Sequence, residues 1–179
     1  MTLTTERLTL RAPVPADVPV IAAFYRSERS AMAGGHLPPH RAWMQAAAIL
    51  GHWQVRGFGL WAVVRRDAPG DAILGLVGPF HPDGWPDTEI GWVLFDGAEG
   101  HGFAQEAATA ALADARDRLG WTRIVSYIDP ANARSIALAE RMGARLDPSA
   151  TPPRTSGPTT PGKTPVRVYL HPAPAEAAR

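Results

Sequence analysis

The spacing of apolar residues changes along the chain, and each change marks an element. Over 4–11, Glu6, Leu8 and Leu10 alternate with Arg7, Thr9 and Arg11, which predicts an opening half-buried strand with Leu8 and Leu10 inward. Helical spacing follows in Val18, Val20, Ile21, Phe24 and Tyr25, with Asp17 placed to cap that helix and Gly34-Gly35 beyond its end. A second helix is predicted over 40–56, where Trp43, Ala46, Ala47, Leu50, Trp53 and Gln54 form a stripe read as core, until Gly57 stops it. Residues 60–65 and 72–80 read as two antiparallel strands around the polar turn 66–71, and a third strand over 88–95 follows the proline-containing turn 81–87. From Phe103 to Leu119 a face of Ala107, Ala108, Ala111, Leu112, Ala115 and Leu119 predicts a helix packed close to a sheet, ended by Gly120. A strand over 123–128 and a helix capped by Asn132 and ended by Gly143 come next.

A helix joining strand 88–95 to strand 123–128 makes a βαβ crossover, so these two strands should run parallel inside an otherwise antiparallel sheet. Such a pair can splay and open a cleft. The fold class expected is α/β (α+β): a single domain with a mixed, mostly antiparallel sheet splayed at a central parallel pair, and helices on both faces. Residues 1–147 form the domain core. Six prolines and five threonines dominate 148–165, which reads as a mobile loop, while 166–171 returns as a final strand and 172–179 as a disordered tail.

The stretch from Glu89 to Ala107 carries the candidate chemistry. Ile90 to Phe95 is strand-like, Asp96 to Gly102 is turn chemistry, and Phe103 opens the alanine-rich helix. Gly100 and Gly102 remove the side chains that would keep an oxyanion from the unpaired N–H groups of the first helical turn. With the helix dipole added, a phosphate or pyrophosphate is the natural occupant. A Walker loop is excluded, because Phe103-Ala104-Gln105 stands where Gly-Lys-Ser/Thr would follow. A dinucleotide fingerprint would need Gly or Ala where Gln105 stands and a fully parallel sheet. A plain tight turn that binds nothing is the remaining alternative.

Composition narrows the class. Eighteen basic and 17 acidic residues leave a net charge of +1 with no long run of either sign, so neither nucleic acid nor a membrane surface is expected as partner. The absence of cysteine excludes disulfides, thiolate metal sites and a covalent cysteine intermediate. Charges in 1–11 stand where a signal peptide needs an apolar core, and no run approaches the roughly 20 apolar residues of a membrane span, so a cytoplasmic location is expected.

Three pieces together resemble the GNAT superfamily of acetyl-CoA-dependent N-acetyltransferases, and within it the Rim-type branch of ribosomal-protein N-terminal acetyltransferases. They are Glu6-Arg7-Leu8-Thr9-Leu10-Arg11; Glu89-Ile90-Gly91-Trp92 leading into Glu99-Gly100-His101-Gly102-Phe103-Ala104-Gln105-Glu106-Ala107; and Asn132-Ala133-Arg134-Ser135 with Glu140-Arg141-Met142-Gly143-Ala144. Gly102 and Ala104 match the last fixed places of the superfamily's phosphate loop, Gln/Arg-x-x-Gly-x-Gly/Ala, whereas Glu99 stands where Gln or Arg is usual. The resemblance implies acetyl transfer from acetyl-CoA, with no metal, to a primary amine that attacks directly in a ternary complex. It implies that Trp92, Val93 and Leu94 offer backbone groups to the pantetheine arm, that 99–104 hold the pyrophosphate, and that Asn132, Ser135 and Arg141 also meet the coenzyme. Glu89 takes the position of the general base, with His81 as second candidate, and Ser135 that of the proton donor to the departing thiolate. Tyr127 and Tyr169 are weaker donors, and Arg134 is a further candidate for the phosphates. The acceptor, a protein N-terminus or a small-molecule amine, would enter past Tyr25, Trp43, Trp85 and the 148–165 loop. An antiparallel final strand beside the cleft is compatible with a homodimer. A non-catalytic acyl-CoA sensor or a protein-interaction module are the competing readings.

Overall fold

Leu8 and Leu10 are fully buried, as their alternation requires, but the strand that carries them is shorter than 4–11. The computed structural model describes residues 1–70, 72–153 and 165–173. In it the chain opens with a hairpin, β1 (Thr2–Thr4) and β2 (Leu8–Arg11), paired antiparallel. Thr5 breaks the expected single strand: its N–H turns back on the Leu8 carbonyl, and its Oγ1 accepts the Leu8 N–H at 3.0 Å.

The helices α1 (Val18–Arg26) and α2 (Pro39–Arg56) follow. Asp17 does not cap α1. The second helical position is Pro19, which has no N–H to give, and the Asp17 carboxylate is held instead by the Val14 N–H at 2.8 Å and by Arg11 at 2.7 and 2.9 Å. In α2 the buried face is Ala42, Ala46 and Ile49, while Trp43 is 59% exposed and lines an open depression with Pro15, Val18, Pro19, Ala22, Arg26 and Pro39. Both stripes have helical spacing, and the one made of alanines lets α1 lie close.

Strands β3 (Trp61–Arg65), β4 (Gly75–Phe80) and β5 (Thr88–Leu94) form the antiparallel meander. The helix α3 (Phe103–Asp117) then crosses to β6 (Ile124–Ile128), which lies parallel to β5. After α4 (Ala133–Arg141), a two-residue strand β7 (Arg145–Leu146) that the apolar pattern did not announce pairs with β8 (Arg167–Leu170). The sheet order is β1-β2-β3-β4-β5-β6-β8-β7, with one parallel neighbour pair among the described strands. Of the loop expected over 148–165, residues 154–164 lie outside the described residues, as do 174–179 of the expected tail.

Helices cover both faces. α1 and α2 pack Ile21, Phe24, Ala46 and Ile49 on Ala62, Val64 and Leu76. On the other face Ala107, Ala108 and Ala111 of α3 lie against Leu8, Leu10, Trp61, Val63 and Val77. The alanine face therefore does what its small side chains permit.

One polar contact fixes where α3 begins. Glu106, in its first turn, accepts the Thr5 hydroxyl at 2.5 Å, the Arg7 N–H at 2.8 Å and the Arg7 guanidinium at 2.7 Å. Burial alone would raise the Glu106 carboxyl, but those donors hold it below its ordinary value. Replacing Glu106 by Ala leaves the Thr5 hydroxyl and the Arg7 N–H without their acceptor, at a cost on the order of 1–3 kcal/mol. The expected result is a Tm lowered by roughly 3–8 °C at pH 7. Because the folded-state pKa is depressed, this contribution is complete above the unfolded value of 4.5 and is lost as pH falls through the folded value, so the Tm gap should close in acid. Thermal melts of both proteins across pH check this.

Candidate active site

The register of β5 and β6 contains only two pairs, Thr88 with Ile124 and Glu89 with Val125, although both strands continue beyond them. The His171 N–H donates to the Ile124 carbonyl on the far side of β6, so the backbone groups of Val125 and Tyr127 face β5. In a continued parallel ladder the Tyr127 N–H would meet the Ile90 carbonyl. Side chains take over instead. The Ser126 hydroxyl donates to the Ile90 carbonyl at 2.6 Å, and the Tyr127 amide lies toward the Glu89 carboxylate. From that vertex onward Gly91 to Leu94 carry backbone groups on the β6 side with no strand among the described residues against them.

Ser126 is itself held. Its oxygen accepts from His171 Nε2 at 2.9 Å, since its own proton is spent on Ile90, and His171 is buried with Nδ1 unpartnered. Burial, with help from Arg116, pushes the His171 imidazole down to about 4, so it is neutral throughout the physiological range.

Glu89 projects from the vertex toward α1 and α2. Burial pushes its carboxyl up to about 7, against the opposing pull of the Trp85 indole and the Tyr127 amide. The Trp85 Nε1 donates to Oε2 at 2.8 Å. The other oxygen, Oε1, lies over Gly91, where an added Cβ would come within 3.5 Å of it. Gly91 thus leaves the approach to that oxygen clear. Burial pushes the phenols of Tyr25, on α1, and of Tyr127 up to about 12, and nearby charge adds to it, from Glu89 on Tyr25 and from Asp87 and then Glu89 on Tyr127.

His81 serves the same turn. Its Nε2 donates to the Trp85 carbonyl at 3.2 Å, and its backbone N–H donates to His52 Nε2 at 3.3 Å. The imidazole of His81 is thereby committed to the loop that presents Trp85 to Glu89.

At the other end of β5, α3 starts at Gly102, whose φ of 78° belongs to the left-handed region and which offers no side-chain cap. The first-turn N–H groups are therefore left for an external acceptor. Gly100 has φ 82° and nothing within 4 Å of an added Cβ, so the loop offers an open cradle that fits an anion. Arg7 braces it from the turn before β2: one guanidinium nitrogen donates to the His101 carbonyl at 2.9 Å, and the group lies 4.9 Å over the Phe103 ring. Arg141 reaches back to Gln105 at 3.3 Å.

Across the gap stands the first turn of α4. Asn132 caps it as expected, its Oδ1 accepting the Ser135 N–H at 3.1 Å. The Ser135 hydroxyl accepts the Trp92 indole N–H at 3.2 Å, and no acceptor for its own proton is found among the described residues. Trp92 packs against the α3 cluster and against Ile128 and Ala139 near α4, so its ring bridges the parted strands.

The structure gathers Glu89, Trp85, Tyr127 and Tyr25 on one side of the vertex, and Trp92, Asn132 and Ser135 on the other. It leaves Trp43 on the outer surface and Tyr169 buried in the core beside Ile128. Sequence reasoning missed Ser126, His171 and Arg29. Ser126 alone had a signal, as a lone hydroxyl in the apolar run from Ile124 to Ile128. Among the described residues no cluster of His, Asp or Glu is placed to hold a metal ion, and no helix is long and apolar enough to cross a membrane.

Comparison with known proteins agrees with this geometry. The model of the acetyltransferase (GNAT) domain matches residues 7–145, and the chain belongs to that family. An acetyltransferase from Agrobacterium tumefaciens str. C58 shares 35% identity and superimposes with a TM-score of 0.83, covering 96% of this chain and 94% of that one. RimL, a ribosomal L7/L12 alpha-N-protein acetyltransferase solved with coenzyme A, shares the fold at a TM-score of 0.70 and 16% identity, over 96% and 97% of the two chains. The protein YkkB of Bacillus subtilis (strain 168) is 31% identical over 90 residues, 49% of this chain and 52% of YkkB, so the match spans about half of that relative.

The raised Glu89 pKa has a measurable consequence. A carboxyl that binds its proton more tightly when folded contributes stability that is fully present below the unfolded value of 4.5 and is lost as pH rises toward about 7. Glu89→Gln is therefore expected to be more stable than wild type at pH 8 and to lose that advantage near pH 4. Melting temperatures of both proteins over that range decide it; an advantage independent of pH would mean that Glu89 is ordinary in its titration.

Proposed function

We propose that the protein is an N-acetyltransferase that moves the acetyl group of acetyl-CoA to a primary amine by direct attack. The observation that carries this reading is the early parting of β5 and β6, with a carboxyl raised to about 7 at the vertex and an undonated serine hydroxyl across the gap. Acetyl-CoA, when bound, supplies the thioester on which the amine acts. The backbone of Trp92, Val93 and Leu94, freed from β6, would align the pantetheine arm. Glu99, Gly100, His101, Gly102, Phe103 and Ala104 would hold the pyrophosphate, chiefly through backbone N–H groups, with Asn132 and Arg141 at the margins.

Glu89 takes the proton that the amine must lose, at the oxygen over Gly91, and an apparent pKa near 7 suits that task at neutral pH. Ser135 gives its proton to the departing sulfur, because its acceptor side is already occupied by Trp92. As the C–N bond forms and the C–S bond breaks, the amine's proton rests on Glu89 and the thiol carries the Ser135 proton, which the serine regains from water as Glu89 releases its own. His81 positions Trp85, which in turn fixes the Glu89 carboxylate. The Rim-type motif supports a protein N-terminus as acceptor, approaching from the side of Tyr25 and Trp85.

Calorimetric titration with acetyl-CoA, for wild type and Gly102→Trp, tests the first half: the wild type should bind and the variant should not. A thiol-release assay tests the second. Glu89→Gln is expected to lower kcat on the order of 10²–10⁴-fold with KM for acetyl-CoA little changed, and Ser135→Ala by a smaller factor. In wild type kcat/KM should rise with pH through about 7 and flatten above it. No binding by the wild-type protein would remove the transferase reading altogether.

A further inference from the structure

Glu99 stands at the first place of the phosphate loop with a charge of the wrong sign for an anion, and the structure shows what is done with it. Its Oε1 pairs with Arg29 Nη2 at 2.6 Å, and its Oε2 faces Arg134 Nη1 at 3.6 Å. Arg29 comes from the short 3₁₀ segment Glu28–Ala33 after α1, and Arg134 from the first turn of α4. The Arg29 guanidinium also approaches the Leu94 carbonyl at 3.4 Å and Asp96 at 3.5 Å, so it sits at the C-terminal end of β5. The two arginines therefore flank the opening left by the parted strands, one on the β5 side and one on the β6 side, and Glu99 joins them.

We propose that Arg29 and Arg134 bind the diphosphate of the coenzyme, and that Glu99 holds both guanidiniums at the loop and gives them up when that diphosphate arrives. The inference rests on the acetyl-CoA reading of the site. Its physical basis is an exchange of acceptors. A guanidinium pairs with phosphate oxygens as readily as with a carboxylate, in the same forked geometry. Both ion pairs are partly or largely exposed, with side-chain exposures of 34% for Arg29, 40% for Glu99 and 86% for Arg134, and exposed pairs are weak enough to be traded. The two cations are met by Glu99 and, beside Arg29, by the exposed Asp96, so the loop mouth is close to neutral and turns positive as Glu99 withdraws. The positive charge that an Arg at the first place of the pattern would put on the loop itself is here delivered from the segment after α1 and from α4, with Glu99 as the internal anion that keeps it in place.

The test is calorimetric binding of coenzyme A and of dephospho-coenzyme A to wild type, Arg29→Gln, Arg134→Gln, Glu99→Gln and Arg29→Gln/Glu99→Gln, at low salt and near 1 M salt. Each single arginine variant is expected to raise Kd about three- to tenfold at low salt, and the loss should shrink at about 1 M, where charges are screened beyond about 3 Å. Dephospho-coenzyme A should show the same losses, since it keeps the diphosphate. Glu99→Gln should lower Kd about threefold, and removing Arg29 should cost more in that background than in wild type, because no carboxylate then competes for it.

Arg134→Gln keeps the test sound if Arg29→Gln folds poorly, for the Arg134 side chain is mostly in solvent. Arginine variants that bind coenzyme A as wild type does would overturn the proposal and leave the transferase reading standing. So would losses that vanish with dephospho-coenzyme A, or a Glu99→Gln variant that binds more weakly than wild type. Failure of the wild-type protein to bind coenzyme A would overturn both.

Discussion

Everything at the centre of this molecule depends on one unmade hydrogen bond, that between the Tyr127 N–H and the Ile90 carbonyl. β5 and β6 pair at Thr88 and Glu89, then part, and buried backbone groups do not tolerate being orphaned. The Ile90 carbonyl is satisfied by Ser126, whose oxygen is steadied by a neutral His171, and the Tyr127 amide turns toward Glu89. Two side chains thus close the vertex from opposite faces of the sheet. One of them is the candidate base. The gap between the strands and the position of the Glu89 carboxyl are consequently a single structural fact, and neither can move without the other.

The candidate phosphate loop follows the same logic with charge in place of backbone. α3 begins without a side-chain cap, at a left-handed Gly102, and so gives up the roughly 0.3 kcal/mol by which a Ser or Asp cap exceeds Gly. Its start is secured from outside by Thr5 and Arg7, which grip Glu106 and the His101 carbonyl. This is why the opening Glu6-Arg7-Leu8 stretch and the Phe103-Ala104-Gln105-Glu106 stretch occur together: residues about a hundred positions apart form one contact. Stability is placed on the flank of the helix, and its N-terminal donors are left for a ligand.

That arrangement explains which parts were legible in sequence. The strand, loop and helix from Glu89 to Ala107 are local, so period and glycine placement reveal them, and the parallel neighbour of β5 follows from the crossover alone. The cap at Asn132 is equally local. Asp17 misled because a cap needs a donor as well as an acceptor, and Pro19 and the distant Arg11 removed that option. Trp43 misled because α2 has two stripes of helical spacing, and only the packing of α1 selects Ala42, Ala46 and Ile49. The hairpin at 2–11 was hidden because Thr5 uses its side chain to turn a stretch whose alternation continues unbroken. Arg29, His171 and the partnership of Trp92 with Ser135 lie beyond any local pattern, since each depends on chain segments brought together from tens of residues away.

The surroundings of Glu89 show how its pKa is set between two limits. A carboxylate fully enclosed among Tyr25, Trp85 and Tyr127 with no donor would remain protonated well above neutrality and could accept nothing. One given two or three strong donors would fall back to an ordinary acid and release its proton too easily to be a useful base at pH 7. Here one oxygen receives the Trp85 indole, the Tyr127 amide assists, and the second oxygen is left over Gly91. Trp85 can do this because His81 holds the carbonyl of the same residue, so the tightness of a proline-containing surface turn becomes part of the titration of a half-buried acid. The aromatic residues around Glu89 act first as a medium, by excluding water, and the one indole among them that can donate settles how far that exclusion goes.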